Sequence, residues 1–381
     1  MPRLATYVEI VAVLFVGVSV IVISDSATTF QTQTPSASNA SSTVSVLPVI
    51  EPKEVEATTS EQSQTTPVSK KKSASPAPAL APVVLSPIEE ITTSINSIKT
   101  ALSTSENSSL DASASALRAA LVNIICYAPA GSRLRSISGS GVIVDPKGII
   151  LTNAHIAQNF LLADRNVSCT IRAGSPAIDK YKASLIYIPS AWVNANAKIL
   201  TESNPSGTGE YDFAFLAISK STTKDELPSS FSSIPLATSP SNTGTPVVIA
   251  SYGAQFLESS QIQSSLFPTI VFGSVKDIFT FGTNTIDVIA LGGSAAAQEG
   301  SSGGGVSNIN SELVGTITTS TTKGTTDTRK LDAITSSYIR VAYASETGQA
   351  LDLLLAQPTA TSISNFAPKI PELESILTAN L

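Results

Sequence analysis

Apolar and polar residues alternate along this chain in four distinct textures. From Ile10 to Ile23 the sequence is uncharged and apolar apart from Ser19, and the run reaches 20 residues, starting at Leu4, when Thr6 and Glu9 are included. A helix rises about 1.5 Å per residue, so the longer stretch just spans a hydrocarbon core of roughly 30 Å. Arg3 precedes it and no basic residue follows before Lys53, a bias that leaves the N-terminus in the cytoplasm and sends the rest outside. A cleaved signal peptide is the alternative, because the uncharged core is short and Ser24, Ser26 and Ala27 supply small residues after it. Residues 1–24 are therefore read as a membrane anchor or signal segment, and export is expected either way.

Residues 25–87 are nearly half Ser, Thr or Pro, with Phe30 the sole aromatic. Such a segment cannot bury enough apolar surface to offset its ordering entropy and is read as a disordered stalk. Residues 88–120 carry helical periodicity. Ile88, Ile91, Ile95, Ile98 and Leu102 form one stripe after Ser86-Pro87, and a second pattern runs from about Leu110 to Leu121. A helix docked on the main domain and a short oligomerising coil both fit.

From Leu121 the period shortens. Apolar runs at 121–127, 141–144, 148–152, 167–172, 183–188, 212–218, 246–251, 269–275, 285–291, 304–308, 313–319 and 338–343 are separated by turn residues. Asp145-Pro146-Lys147-Gly148 joins the second and third as a candidate hairpin. Many short strands without intervening long helices predict an all-β domain, a sandwich or a pair of barrels, over residues 121–345. Residues 346–381 form a C-terminal helix and tail, the helix starting near Ala344 with Leu351, Leu354 and Leu355 on one face.

Composition narrows the chemistry. The chain has 381 residues, a net charge of −6 and 14% charged residues, which with no basic tract beyond Lys70-Lys71-Lys72 argues against a nucleic-acid partner. A single histidine and two cysteines exclude a multi-histidine metal centre or a zinc ribbon, so no metal or cofactor is expected.

The one histidine, His155, closes the run Gly148–Ala154, where a strand would end. Ser302 lies in Gly300-Ser301-Ser302-Gly303-Gly304-Gly305, and Asp212 opens the apolar run Phe213–Ala217. A serine hydroxyl attacks only when a neighbouring base takes its proton. The glycines allow a tight turn that aims the amides of Gly300 and Ser302 at one point, as an oxyanion hole requires. A carboxylate buried beside the imidazole would fix its tautomer.

These blocks resemble the trypsin-like serine peptidases of the chymotrypsin fold, closest to the HtrA (Deg) type. Ser140–Val144 through Thr152-Asn153-Ala154-His155-Ile156 is similar to the family's histidine block, Asp212-Phe213-Ala214 to its aspartate block, and Gly300–Gly305 followed by Glu312–Thr316 to its serine block. The resemblance implies two six-stranded antiparallel barrels with the site in the cleft between them. It assigns Ser302 as nucleophile, His155 as general base, Asp212 as its orienter, and the Gly300 and Ser302 amides as oxyanion donors. Thr316, Ile317 and Thr318 would form the edge that pairs with an extended substrate. Ala296, beside Ala297, would floor the specificity pocket, and an uncharged floor favours small or medium apolar residues at the cleaved position. Ser301 stands where digestive relatives carry an aspartate that pairs with a freshly cut N-terminus. The sequence after Tyr343 is too short for the PDZ domain of many relatives. The resemblance makes the strands holding Cys126 and Cys169 neighbours where the first barrel closes, so a disulfide between the two is expected in an exported protein, with two buried thiols as the alternative.

The leading function is an extracytoplasmic serine endopeptidase, tethered by its N-terminal helix or secreted, acting on polypeptide through an acyl-enzyme. A catalytically inactive surface binding module of the same fold is the alternative, and a stalked adhesion protein with accidental motifs is a third. Oligomeric state is open.

Overall fold

The computed structural model describes residues 105, 107–200, 207–282, 285–320 and 324–379, all within the unit Pro82–Leu381. The expected anchor, the stalk and the Ile88–Leu102 stripe lie outside these residues. Among the described residues no helix is long and apolar enough to cross a membrane.

Six strands close the first barrel: β1 (Leu121–Tyr127), β2 (Ile137–Asp145), β3 (Ile149–Thr152), β4 (Ser168–Ala173), β5 (Ile178–Tyr187) and β6 (Ala214–Ser221). Their order is β1-β2-β3-β6-β5-β4, with β1 pairing β4 to complete the circle. The expected β2–β3 hairpin is present. Gly148 takes φ +87°, open to a residue without Cβ, and its N–H donates to the Asp145 carbonyl at 2.9 Å.

Where β1 meets β4, Cys126 and Cys169 are direct partners in register and are joined by a disulfide. The bond ties the seam of the barrel. Replacing both cysteines by serine is expected to lower unfolding stability by about 3–4 kcal/mol in the chain-entropy model for a loop of this size. Denaturant titration of the oxidised protein and the double variant measures it, and coincident curves would contradict the role.

The second half departs from expectation. In place of a second closed six-stranded barrel there is a seven-stranded antiparallel sheet of β7 (Pro246–Ser251), β8 (Thr269–Ser274), β9 (Asp277–Phe279), β10 (Val288–Ala290), β11 (Gly305–Ser307), β12 (Leu313–Ser320) and β13 (Leu331–Thr335), in the order β8-β7-β11-β12-β13-β10-β9. The two edge strands, β8 and β9, follow one another in the chain. At the corner between them the Val275 N–H donates to Thr245 O (3.0 Å) and the Lys276 N–H to Ala290 O (2.7 Å), so the sheet ends are joined by the chain itself and not by a strand ladder.

Strand periodicity explains how the two halves share core. On β7, Val247 and Ile249 enter the cluster inside the second sheet with Val306, Val314, Leu331 and Ala333, while Val248 and Ala250 join the larger first cluster. Both faces are buried, which is why this strand reads as a continuous apolar run.

Two further elements differ from expectation. The apolar run at 338–343 is not a strand but part of the helix Ser336–Thr347, N-capped by Thr335, whose hydroxyl accepts the Tyr338 N–H. Its buried residues Ser336, Ile339, Ala342 and Tyr343 recur at helical spacing, whereas Val341 is exposed. The single closing helix is in fact a series: Leu351–Ala356, Thr359–Phe366 and Ile370–Thr378 follow, split by Pro358 and by the 3-10 turn Ala367–Lys369. The second N-terminal pattern forms a helix over 107–120 that docks on the fold. Its Leu117 and Ala120 are fully buried, and Ser113 Oγ lies 2.7 Å from Ser307 Oγ on β11.

Candidate active site

His155 sits on a one-turn helix, Ala154–Ala157, directly after β3. Asp212 stands just before β6, the neighbour of β3 in the barrel, in a turn built by Asp212 N–H to Gly209 O (3.1 Å) and Phe213 N–H to Tyr211 O (2.8 Å). Tyr211 adopts φ +56°, a left-handed conformation rare for a bulky residue. Tyr338 steadies it, because its hydroxyl oxygen accepts the Tyr211 N–H at 3.2 Å. Burial pushes that phenol above its usual range, so it stays protonated.

Both carboxylate oxygens of Asp212 are engaged. Oδ1 accepts the His155 backbone N–H at 2.9 Å; Oδ2 lies 2.7 Å from His155 Nδ1 and accepts the Thr318 hydroxyl at 2.8 Å. An ionised carboxylate only accepts, so Nδ1 must carry the ring proton. The other ring nitrogen, Nε2, then presents a lone pair. The imidazole is 26% exposed and the carboxylate 9%, so the ring is reachable while its partner is shielded. The Asp212 carbonyl is held by Asn153 Nδ2 (2.8 Å) and the His155 carbonyl by Gln158 Nε2 (2.9 Å), which fixes both backbones.

Ser302 is half-buried in a loop stapled to both halves. Four successive carbonyls are committed: Glu299 O to Ala254 N (2.7 Å), Gly300 O to Ser140 Oγ (2.8 Å), Ser301 O to Gly304 N (2.9 Å) and Ser302 O to Ser140 N (2.7 Å). The N–H groups of Ser301, Gly303 and Gly304 donate to Gln298, Ile317 and Ser301 carbonyls. Along 300–304 the N–H groups of Gly300 and Ser302 are left without an acceptor among the described residues. The turn needs its glycines. Gly300 and Gly303 have φ of +89° and +83°, and a Cβ on Gly303 would lie 2.0 Å from Ser140 O and 2.5 Å from Thr152 Oγ1. Ser301 is buried and accepts the Ser251 hydroxyl at 3.0 Å, a neutral partner.

The substrate-binding assignments need one correction. Thr316 and Ile317 pair with β13 on one side, and on the other Thr316 faces Gly305 while Ile317 exchanges hydrogen bonds with Gly303 and Gly304. A strand bonded along both edges has none to offer a peptide. Thr318 is the partner of Asp212. Ala296 and Ala297 are fully buried in the second core with Leu331, and Glu299 is exposed. The Ala297 carbonyl accepts from the buried guanidinium of Arg329 at 2.8 Å.

Sequence reasoning missed the roles of Ser140, Thr152, Tyr338 and Arg329, and gave Thr318 to the substrate edge without its bond to Asp212. A signal existed for Thr152, the lone hydroxyl in the otherwise apolar strand β3.

The family model described as a trypsin-like peptidase domain matches residues 139–315. Among solved structures, the active form of the Rv3671c protease from M. tuberculosis is 18% identical with a TM-score of 0.38, covering 62% of this chain and 85% of that chain. Its inactive form is 16% identical with a TM-score of 0.38, covering 62% and 93%. No curated protein matches the chain. Residues 139–315, a stretch that includes His155, Asp212 and Ser302, are similar to a trypsin-like peptidase domain.

Proposed function

We propose that this chain is an exported serine endopeptidase in which Ser302, His155 and Asp212 act together. His155 Nε2 takes the Ser302 hydroxyl proton as Oγ bonds to the scissile carbonyl carbon. The oxygen of that carbonyl gains negative charge and is held by the N–H groups of Gly300 and Ser302. The imidazolium, stabilised by Asp212, then gives its proton to the leaving amine as the C–N bond breaks, leaving an acyl-enzyme. Water repeats the sequence: His155 removes its proton, the tetrahedral centre collapses, and Ser302 recovers its hydrogen. The observation that carries this reading is an Asp212–His155 couple with both carboxylate oxygens engaged, together with a serine loop whose uncommitted N–H groups, along 300–304, are those of Gly300 and Ser302.

The free edge of β12 begins after Ile317, and an extended substrate would add there. Apolar Ala296 and Ala297, packed with Leu331, favour a small or medium apolar residue at the cleaved position. The Cys126–Cys169 bond supports work outside the cytoplasm, where disulfides persist.

Cleavage of a quenched-fluorescent peptide library tests the reading. Cleavage after small or medium apolar residues is expected, with a rate that falls on acidification because a protonated imidazole cannot accept the serine proton. Preferred cleavage after lysine or arginine would overturn the pocket assignment. A rate flat far into the acid range would overturn His155 as base.

A further inference from the structure

Ser140 has no place in the chemistry above, yet every polar group it owns is committed to the machinery. Its N–H donates to Ser302 O at 2.7 Å, and its hydroxyl donates to Gly300 O at 2.8 Å and accepts the Tyr252 N–H at 2.8 Å. Its carbonyl accepts the Thr152 hydroxyl at 2.7 Å. The residue is fully buried, in the part of β2 that lies beyond the β3 pairing, which begins at Val142.

We propose that Ser140 is the positioning residue of the oxyanion hole. The inference rests on the peptidase reading given above. A peptide unit is planar, so fixing the Gly300 and Ser302 carbonyls fixes the planes that directly follow the two donors, those carrying the Ser301 and Gly303 N–H groups. Ser140 fixes the carbonyls of Gly300 and Ser302, the two residues whose own N–H groups face the developing charge. The planes that carry the Gly300 and Ser302 N–H groups are held by the Glu299 and Ser301 carbonyls, bonded to the Ala254 and Gly304 N–H groups; with Ser140 holding the next plane in each case, little rotation about the Gly300 and Ser302 backbone is left that could carry those N–H groups away. Thr152, three residues before His155, holds Ser140 from the other side, so the loop and the strand leading to the base are locked to one residue. The hydroxyl does this without a charge. Tyr252 gains from the same contact, since its N–H would otherwise be buried without a partner.

The test compares kcat, KM and the concentration of competent sites, counted by active-site titration, for wild type, Ser140→Ala, Thr152→Val and Ser362→Ala. Ser140→Ala is expected to lower kcat by about 10–100-fold, somewhat less than loss of an oxyanion donor itself, with KM within about threefold. Thr152→Val, which keeps shape and loses only the hydroxyl, is expected to lower kcat by about 3–10-fold with KM unchanged. Ser362 is a buried serine on the C-terminal helices, and its alanine variant should keep wild-type kcat. The proposal is overturned if Ser140→Ala and Thr152→Val both retain kcat per competent site within about twofold. Should Ser140→Ala fail to fold, Thr152→Val alone decides by the same criterion. A wild type that hydrolyses no peptide is a different failure, which removes the peptidase reading itself and this role with it.

Discussion

Replacing Ser302 by alanine is expected to lower kcat by roughly 10⁵–10⁶-fold while KM stays within a few-fold, because the residues of a nucleophile–base couple act as a unit. His155→Ala should cost about as much, since Nε2 supplies the lone pair that receives the serine proton. The double variant should lose little more than either single one. That non-additivity separates the account from a looser one in which the two groups merely help bind substrate. Independent contributions would multiply, and a double variant far below both singles would contradict the shared proton transfer. Both side chains are partly accessible, so truncation to alanine removes reactive atoms without opening a core cavity, and the variants should unfold near the wild-type midpoint.

Asp212→Asn is expected to lower kcat by about 10⁴-fold with the fold intact. The carboxylate accepts three contacts, from the His155 backbone N–H, His155 Nδ1 and the Thr318 hydroxyl. An asparagine is almost isosteric but offers one oxygen and one amide nitrogen. If its nitrogen faces the ring it donates to Nδ1, the ring proton moves to Nε2, and the base loses its lone pair. If its oxygen faces the ring, the nitrogen confronts the His155 N–H, donor against donor. Either arrangement leaves the buried site mismatched. Equal kcat values for Asp212→Asn and wild type across neutral pH would show that the carboxylate does not set the tautomer.

Much of this was legible from local pattern. β1 and β7 follow apolar runs whose ends match the observed strands, Leu121–Tyr127 and Pro246–Ser251. His155 stood out because the chain owns a single imidazole, and Asp212 was paired with it from its place at the head of an apolar run and from the resemblance of Asp212-Phe213-Ala214 to the aspartate block. The Cys126–Cys169 bridge was one of two open possibilities, and the register of β1 against β4 settled it.

What failed did so for physical reasons. Tyr338-Ile339-Arg340-Val341 is rich in residues favouring strands, but the cap at Thr335 and the burial of Ile339, Ala342 and Tyr343 select a helix. β13, over Leu331–Thr335, is short and broken by the charged Asp332, so it gave no continuous apolar run to read. Thr316 and Ile317 were placed at an open edge because sequence shows a strand and not its neighbours; pairing to β11 and β13 is a long-range fact. Ser140 and Thr318 act through hydrogen bonds to residues more than 100 positions away, which no local pattern encodes.

The most direct measurement is the mass-spectrometric site of modification after treating the protein with a fluorophosphonate. A serine activated by a neutral imidazole, beside donors for the phosphonyl oxygen, attacks this reagent, whereas ordinary surface serines do not. The account predicts a single adduct on the peptide containing Ser302, lost in both Ser302→Ala and His155→Ala. Wild-type protein that stays unmodified, or an adduct on a different serine that survives both substitutions, would contradict it.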